Sequence, residues 1–84
     1  MTKVREYSNS RATMSVETLE DKYYVVHLTS GCSLDLMKQV FSEYKEKHLF
    51  ACVPKNHRVN KVSARFGVLV HEYEEVNVYH IKGD

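Results

Sequence analysis

The chain has 84 residues with 12 basic and 11 acidic side chains, which gives a formal net charge of +1 at pH 7. A chain this short forms one domain around one core, because a small domain buries only about 60% of its extended-chain surface. The near-neutral total excludes a strong overall attraction to nucleic acid or acidic membranes, so any electrostatic preference is local. A hydrophobic fraction of 43% suits a folded core and argues against a disordered chain.

The sequence favours a cytoplasmic protein that does not enter a membrane. No run approaches the roughly 18 to 20 apolar residues of a membrane span, and the N-terminal MTKVREYSNSR lacks the apolar segment of a secretory signal. In that compartment Cys32 and Cys52 are expected to be free thiols that behave as small hydrophobic residues.

The first elements follow from hydrophobic periodicity. Residues 1–10 are polar without sustained periodicity, which predicts a flexible or irregular arm ahead of a single domain over residues 11–84. Alternation from Ala12 to Val16 predicts a strand. The aromatic and β-branched segment KYYVVHL predicts a second strand, antiparallel to the first across a short connection.

A helix is predicted next, over about residues 34–47. Ser33 is a suitable N-cap, and Asp35 places a carboxylate in the first turn, where it favours the positive end of the helix dipole. One stripe of the helix is apolar and is expected to lie on the sheet: Leu34, Leu36, Met37, Val40, Phe41 and Tyr44.

Three further strands are predicted in the second half. HLFACV gives the third and is ended by Pro54, which cannot donate to a strand ladder. Residues 54–60 have the composition of a turn. Alternation over residues 62–71 gives the fourth strand, and VNVYHIK gives the fifth after the turn EYEE.

The resulting order is β-β-α-β-β-β, an α+β domain with one helix packed on a mostly antiparallel, mixed sheet. This order resembles that of the ubiquitin-like β-grasp fold, in which a hairpin, a helix and further strands make a mixed sheet. The resemblance covers the order of elements and transfers no function.

Motifs of catalysis and cofactor binding are missing from the sequence. The three glycines lie far apart and cannot form a phosphate-binding loop, and no H-E-x-x-H, G-x-S-x-G or C-x-x-C is present. We therefore expect no enzyme, no cofactor, no catalytic residue and no metal site. His27, His71 and His80 lie on predicted strands; whether they converge stays open, with ordinary packing favoured over metal ligation.

The most distinctive feature is a basic interval. No Asp or Glu occurs between Glu46 and Glu72. Six residues are candidates for partner binding. Five lie in this interval, and the sixth is a tyrosine of the acidic turn that follows: Lys55, His57, Arg58, Lys61, Arg65 and Tyr73. Such a segment favours an acidic protein surface or a phosphate backbone, although a charged run is most often a solvated loop.

The sequence thus predicts a small non-enzymatic protein-binding module, an inhibitor or modulator of a larger host assembly. Viral and mobile-element accessory proteins often have this build. The alternative is a nucleic-acid-binding module in which segment 55–65 binds phosphates and a tyrosine stacks on a base. The expected oligomeric state is a monomer, or a homodimer paired through a sheet edge.

Overall fold

The computed structural model describes residues 2–81, which form one sheet and two helices. The elements are, in chain order, β1 (Thr2–Ser8), β2 (Ala12–Leu19), β3 (Tyr23–Gly31), α1 (Leu34–Glu43), β4 (His48–Pro54), α2 (Val59–Phe66), β5 (Gly67–Glu72) and β6 (Val76–Ile81). The strand order in the sheet is β1-β2-β3-β4-β6-β5, with β3 and β4 parallel and the other pairs antiparallel. The predicted α+β class with a mixed sheet is confirmed.

Four predicted strands appear where the sequence patterns indicate them. β2 and β3 form the first antiparallel hairpin, β4 ends at Pro54, and β6 pairs with β5 in the second hairpin. The β2–β3 turn places Glu20 and Asp21 at φ values of 57° and 55°. This left-handed backbone suits a tight turn, because its twist matches that of the strands.

Helix α1 begins as predicted and ends earlier, at Glu43. The Ser33 side chain accepts a hydrogen bond from the Leu36 amide at 3.2 Å and one from Asn9 Nδ2 at 2.8 Å. Leu36, Met37, Val40 and Phe41 are buried as expected, whereas Leu34 is exposed. The cap therefore also ties the start of α1 to the β1–β2 turn.

The predicted irregular arm is wrong for Thr2–Ser8, which forms β1 and pairs antiparallel with β2. All of its residues except Tyr7 are exposed, so the segment lacks the apolar alternation that indicates a buried strand. Tyr7 alone is buried. Pairing with β2, and not burial of one face, determines this strand.

The predicted fourth strand is wrong over residues 62–66, which belong to α2. Val59, Val62, Ser63 and Phe66 recur at the i, i+3, i+4, i+7 spacing of a helix and face the core. The alternation over residues 62–66 also satisfies a period of two, because residues four apart lie on one face in both structures. The strand begins only at Gly67.

These two corrections change the architecture from one helix on five strands to two helices on six. The element order is β-β-β-α-β-α-β-β, which differs from the order on which the resemblance to the β-grasp fold depends. Within residues 2–81, neither helix is long and apolar enough to cross a membrane.

The core lies between the sheet and the two helices, which pack on the same face. The rings of Phe41 in α1 and Phe66 in α2 meet edge to face, with centroids 5.6 Å apart. Alternate residues of the strands complete the core, among them Val16, Val26, Leu49, Ala51 and Ile81. Because both helices pack on this face, no helix within residues 2–81 covers the opposite face of the sheet.

Replacement of Phe41 by Ala should lower the free energy of unfolding by about 3–5 kcal/mol, because the ring is 2% exposed and its removal leaves a cavity. Urea unfolding followed by circular dichroism measures the loss. Leu34→Ala, at an exposed position of the same helix, is the control and should change stability by less than about 1 kcal/mol. Similar losses in the two variants would contradict this packing.

A pair of tyrosines joins β1 to the end of α1. The Tyr7 hydroxyl donates to the Tyr44 hydroxyl at 3.3 Å, and the rings of Tyr44 and Tyr24 lie 5.2 Å apart. Burial, with a smaller contribution from the neighbouring Glu43 carboxylate, raises the pKa of Tyr44 well above its ordinary value. The folded state thus keeps the Tyr44 hydroxyl protonated where the unfolded chain loses its proton.

The stability supplied by this hydroxyl should be complete below about pH 10 and lost as pH rises further, because the unfolded state then binds fewer protons than the folded state. Tyr44→Phe should therefore show a shallower fall in urea midpoint between pH 9 and about pH 11.5 than the wild type. Tyr73→Phe, which removes a hydroxyl from an exposed turn residue, is the matched control. An unchanged pH dependence in Tyr44→Phe would contradict the assignment.

Candidate functional site

Helix α2 gathers three of the predicted binding residues on one exposed face. Arg58 has helical backbone angles, and Lys61 and Arg65 follow at i+3 and i+7. At 100° per residue, the three side chains project within about 60° of one another. All three are exposed. We refer to Arg58, Lys61 and Arg65 as the α2 basic face.

None of these three cations is neutralised by the described part of the chain. The ion pairs among residues 2–81 join Lys3 to Glu6, Arg5 to Glu43, His27 to Glu17 and Lys55 to Glu72. The α2 basic face therefore presents its full charge to solvent.

A hydrogen-bond network centred on Asn60 fixes α2 against the sheet. Asn60 Nδ2 donates to the carbonyl oxygens of Pro54, Lys55 and His57 at 2.7, 3.0 and 2.8 Å. Its Oδ1 accepts from Asn77 Nδ2 at 2.9 Å and from the Tyr79 hydroxyl at 3.1 Å. One side chain thus holds the β4–α2 loop and β6 together, so the α2 basic face is rigidly positioned.

The other three predicted binding residues are engaged elsewhere. Lys55 Nζ lies 3.3 Å from Glu72 Oε1, and the Lys55 amide donates to the Glu75 carbonyl at 2.9 Å. His57 Nδ1 accepts from the Val59 amide at 3.0 Å and so caps α2. Tyr73, in the β5–β6 turn, packs against His71 with ring centroids 4.3 Å apart and the ring planes tilted by 54°. The six residues therefore form two groups and not one continuous patch.

Lys55 also lies in acidic surroundings. A shallow groove separates the β4–α2 loop from the β5–β6 turn and is lined by Pro54, Lys55, Asn56, His57, Glu74 and Glu75. Its two sides have opposite charge, which makes it a poor site for either a phosphate or an acidic peptide.

The uncovered face of the sheet is a second candidate surface, which the sequence analysis did not identify. Cross-strand partners share a face, so the pairing register assigns one side of the sheet to each residue. Over β3, β4, β6 and β5, the outward residues that have a register partner are Tyr23, Val25, His27, Ser30, His48, Phe50, Cys52, Pro54, Val76, Val78, His80, Val68 and His71. We call this set the open sheet face. The sequence contains a signal for this surface. Residues 23–28 and 48–53 are apolar on both faces of their strands, and the two helices cover only one of those faces.

Aromatic rings cluster at one end of the open sheet face. The Phe50 and His80 rings are stacked at 5.0 Å, and Tyr23 lies 6.2 Å from Phe50 and 5.8 Å from His48. His48 and His80 are stacked at 6.3 Å. These contacts stabilise neighbouring strands. Lys22 Nζ lies over the Tyr23 ring, 5.4 Å from its centroid.

The three histidines of the strands lie on one face of the sheet but are not brought together. His27, His71 and His80 share the open sheet face, because a bulge at Leu69/His71 shifts the register of β5 and places His71 opposite Val78. They stand on β3, β5 and β6, and β4 separates the first from the others. Across residues 2–81, no three potential ligands approach closely enough to hold a metal ion.

The nearest approach to a catalytic arrangement is a row formed by Glu17, His27 and Cys52. His27 Nε2 lies 3.0 Å from Glu17 Oε1, without the alignment of a hydrogen bond, and His27 is the register partner of Cys52. Burial, with a smaller contribution from Glu17, raises the pKa of the Cys52 thiol. A catalytic cysteine needs the opposite shift, so this row does not activate a nucleophile.

Asn60→Ala should destabilise the fold by about 2–4 kcal/mol, because it leaves Asn77 and Tyr79 without their acceptor inside the protein. Chemical denaturation measures the change, and hydrogen exchange should show faster exchange in α2. Asn56→Ala, at an exposed position of the same loop, should lie within about 0.5 kcal/mol of the wild type. Equal stability of the two variants would mean that the network does not hold α2.

The chain matches no model of a known protein family, and comparison with curated proteins and with solved structures finds no significant relative. Function therefore has to be inferred from the geometry and chemistry of the chain itself.

Proposed function

We propose that the protein is a small non-enzymatic protein-binding module whose α2 basic face docks on an acidic surface of a larger partner, which it inhibits or modulates. The observation that carries the proposal is the alignment of Arg58, Lys61 and Arg65 on one exposed helix face without an intramolecular counter-ion. Complementary charge raises the association rate and selects the partner more than it adds affinity.

Rigid placement supports this proposal. Because the Asn60 network ties the β4–α2 loop to β6, the backbone that carries the three cations does not have to become ordered on binding. Pre-organisation of this kind lowers the entropic cost of association. The set of binding residues differs from the sequence-based prediction, since Lys55, His57 and Tyr73 already have partners within the chain.

A nucleic-acid-binding module is the second candidate, because a phosphate backbone also favours three unpaired cations. Binding of single strands, however, combines a basic groove with aromatic rings on which bases stack. Here the cations lie in the helix layer, and the rings of Tyr23, Phe50 and His80 lie on the other side of the sheet. This separation makes a protein partner the better proposal.

The test reverses the three charges together, as Arg58→Glu, Lys61→Glu and Arg65→Glu. This variant should bind the partner roughly 100-fold more weakly, at about 1 kcal/mol per reversed charge, while each exposed substitution changes stability by less than about 0.5 kcal/mol. The partner is first captured from lysate with the wild type at low salt and identified by mass spectrometry. Its Kd is then measured for each variant.

The matched control reverses three exposed lysines of α1 and the turn that follows it, Lys38, Lys45 and Lys47. It changes the net charge equally and should bind like the wild type. If both triple variants weaken partner binding equally, the effect is one of overall charge and the proposal is contradicted. Binding to oligonucleotides that weakens steeply between 50 and 200 mM salt and is lost in the α2 variant would favour the second candidate.

A further inference from the structure

The open sheet face is a continuous surface of apolar, aromatic and histidine side chains. It forms two rows across the strands in register, Val25–Phe50–His80–Val68 and His27–Cys52–Val78–His71. Val68 in the first row is 50% exposed. Large contiguous apolar patches on a small domain mark interaction sites.

Charge on this side of the sheet lies on β1, on β2 and on the turn between β2 and β3, where Lys22 Nζ is 5.4 Å from the centroid of the Tyr23 ring. Lys3, Glu6 and Glu17 stand on those two strands. Among the described residues of β3, β4, β5 and β6, by contrast, no side chain of the open sheet face is Asp, Glu, Lys or Arg. A partner that covers these four strands must therefore itself be largely uncharged there.

We propose that the occupant is a second copy of this chain, packed face to face through the open sheet face about a two-fold axis. In such an isologous contact the same patch is used on both copies, so an uncharged apolar surface meets its own equivalent. The charged residues of β1 and β2 then lie at the rim. A neutral imidazole has one donor and one acceptor nitrogen, so histidines of one copy can hydrogen bond to those of the other.

The available area fits a dimer. Four strands at about 4.8 Å spacing and seven residues at about 3.3 Å per residue give a central face of about 19 by 23 Å, and β1 and β2 extend it to about 29 by 23 Å. Two such faces, with their charged rims included, bury about 1,300 Å², within the range of specific protein interfaces. Two sheets packed in this way form the sandwich arrangement seen in many proteins, with the sheets about 10 Å apart.

Pairing through a sheet edge, the dimer expected from the sequence, is the weaker alternative. The edge strands are β1 and β5, and each has a bulge, at Lys3/Arg5 and at Leu69/His71. Bulges twist an edge away from a straight ladder. β1 is also charged at Lys3, Arg5 and Glu6, which further disfavours strand addition.

Sedimentation velocity over about 1–500 µM tests the proposal on the wild-type protein. We expect a monomer–dimer equilibrium with a Kd on the order of 10 µM or tighter. Val25→Lys on β3 and Val68→Lys on β5 should each weaken it at least roughly 100-fold, since each charge enters the interface twice. Gln39→Lys adds the same charge to the exposed side of α1 and should dimerise like the wild type.

The pattern of outcomes separates the alternatives. A wild type that stays monomeric up to 500 µM would overturn the proposal and leave the face to a different protein. A dimer weakened by Val68→Lys but not by Val25→Lys would overturn it in favour of pairing through β5. Because none of these substitutions touches the α2 basic face, failure here and failure of the proposed function are independent.

Alkylation of the wild type provides a readout that needs no substitution. Cys52 lies in the middle of the open sheet face, whereas Cys32 precedes α1 and packs against the core on the helix side. The ratio of Cys52 to Cys32 modification by a small maleimide should fall several-fold between 1 and 500 µM protein. A ratio that stays constant over a concentration range in which sedimentation shows monomer converting to dimer would exclude the face as the interface.

Discussion

The handedness of strand–helix–strand connections determines most of what this molecule presents to its surroundings. β3, β4 and β5 run parallel to one another, and the chain moves in the same direction across the sheet from β3 to β4 and from β4 to β5. Such connections are right-handed almost without exception. Two successive crossovers in one direction therefore place α1 and α2 on the same face, where Phe41 meets Phe66.

This constraint separates the surface into two layers of different chemistry. The helix layer carries the α2 basic face, and the open sheet face is rich in valine, histidine and aromatic residues. A contact on one does not block the other, because the sheet lies between them. A dimer formed through the open sheet face would present two α2 basic faces on opposite outer surfaces. Each dimer would then have two binding sites for an acidic partner.

Local polar contacts make the helix layer rigid enough to serve as a binding surface. Asn60 connects three loop carbonyl oxygens to Asn77 and Tyr79, and Ser33 connects the start of α1 to Asn9. Each of these side chains replaces backbone partners that a loop or a helix end would otherwise lack. Several residues that resemble a binding site in the sequence, Lys55 and His57 above all, belong to this internal support.

The sequence by itself determined the elements whose local pattern or composition fits only one kind of secondary structure. The hairpin of β2 and β3, the cap and apolar stripe of α1, and the strands β4 and β6 follow from local alternation, propensity and capping. β1 was not predicted because an edge strand with a single buried residue has no such pattern. α2 was not predicted because Val62 and Phe66 fit the period of a strand as well as that of a helix. Which of the basic residues stay free, and that one face of the sheet stays uncovered, were decided only by tertiary structure. Both depend on neighbours distant in sequence: the ion pair of Lys55 with Glu72, and the direction in which two crossovers run across the sheet.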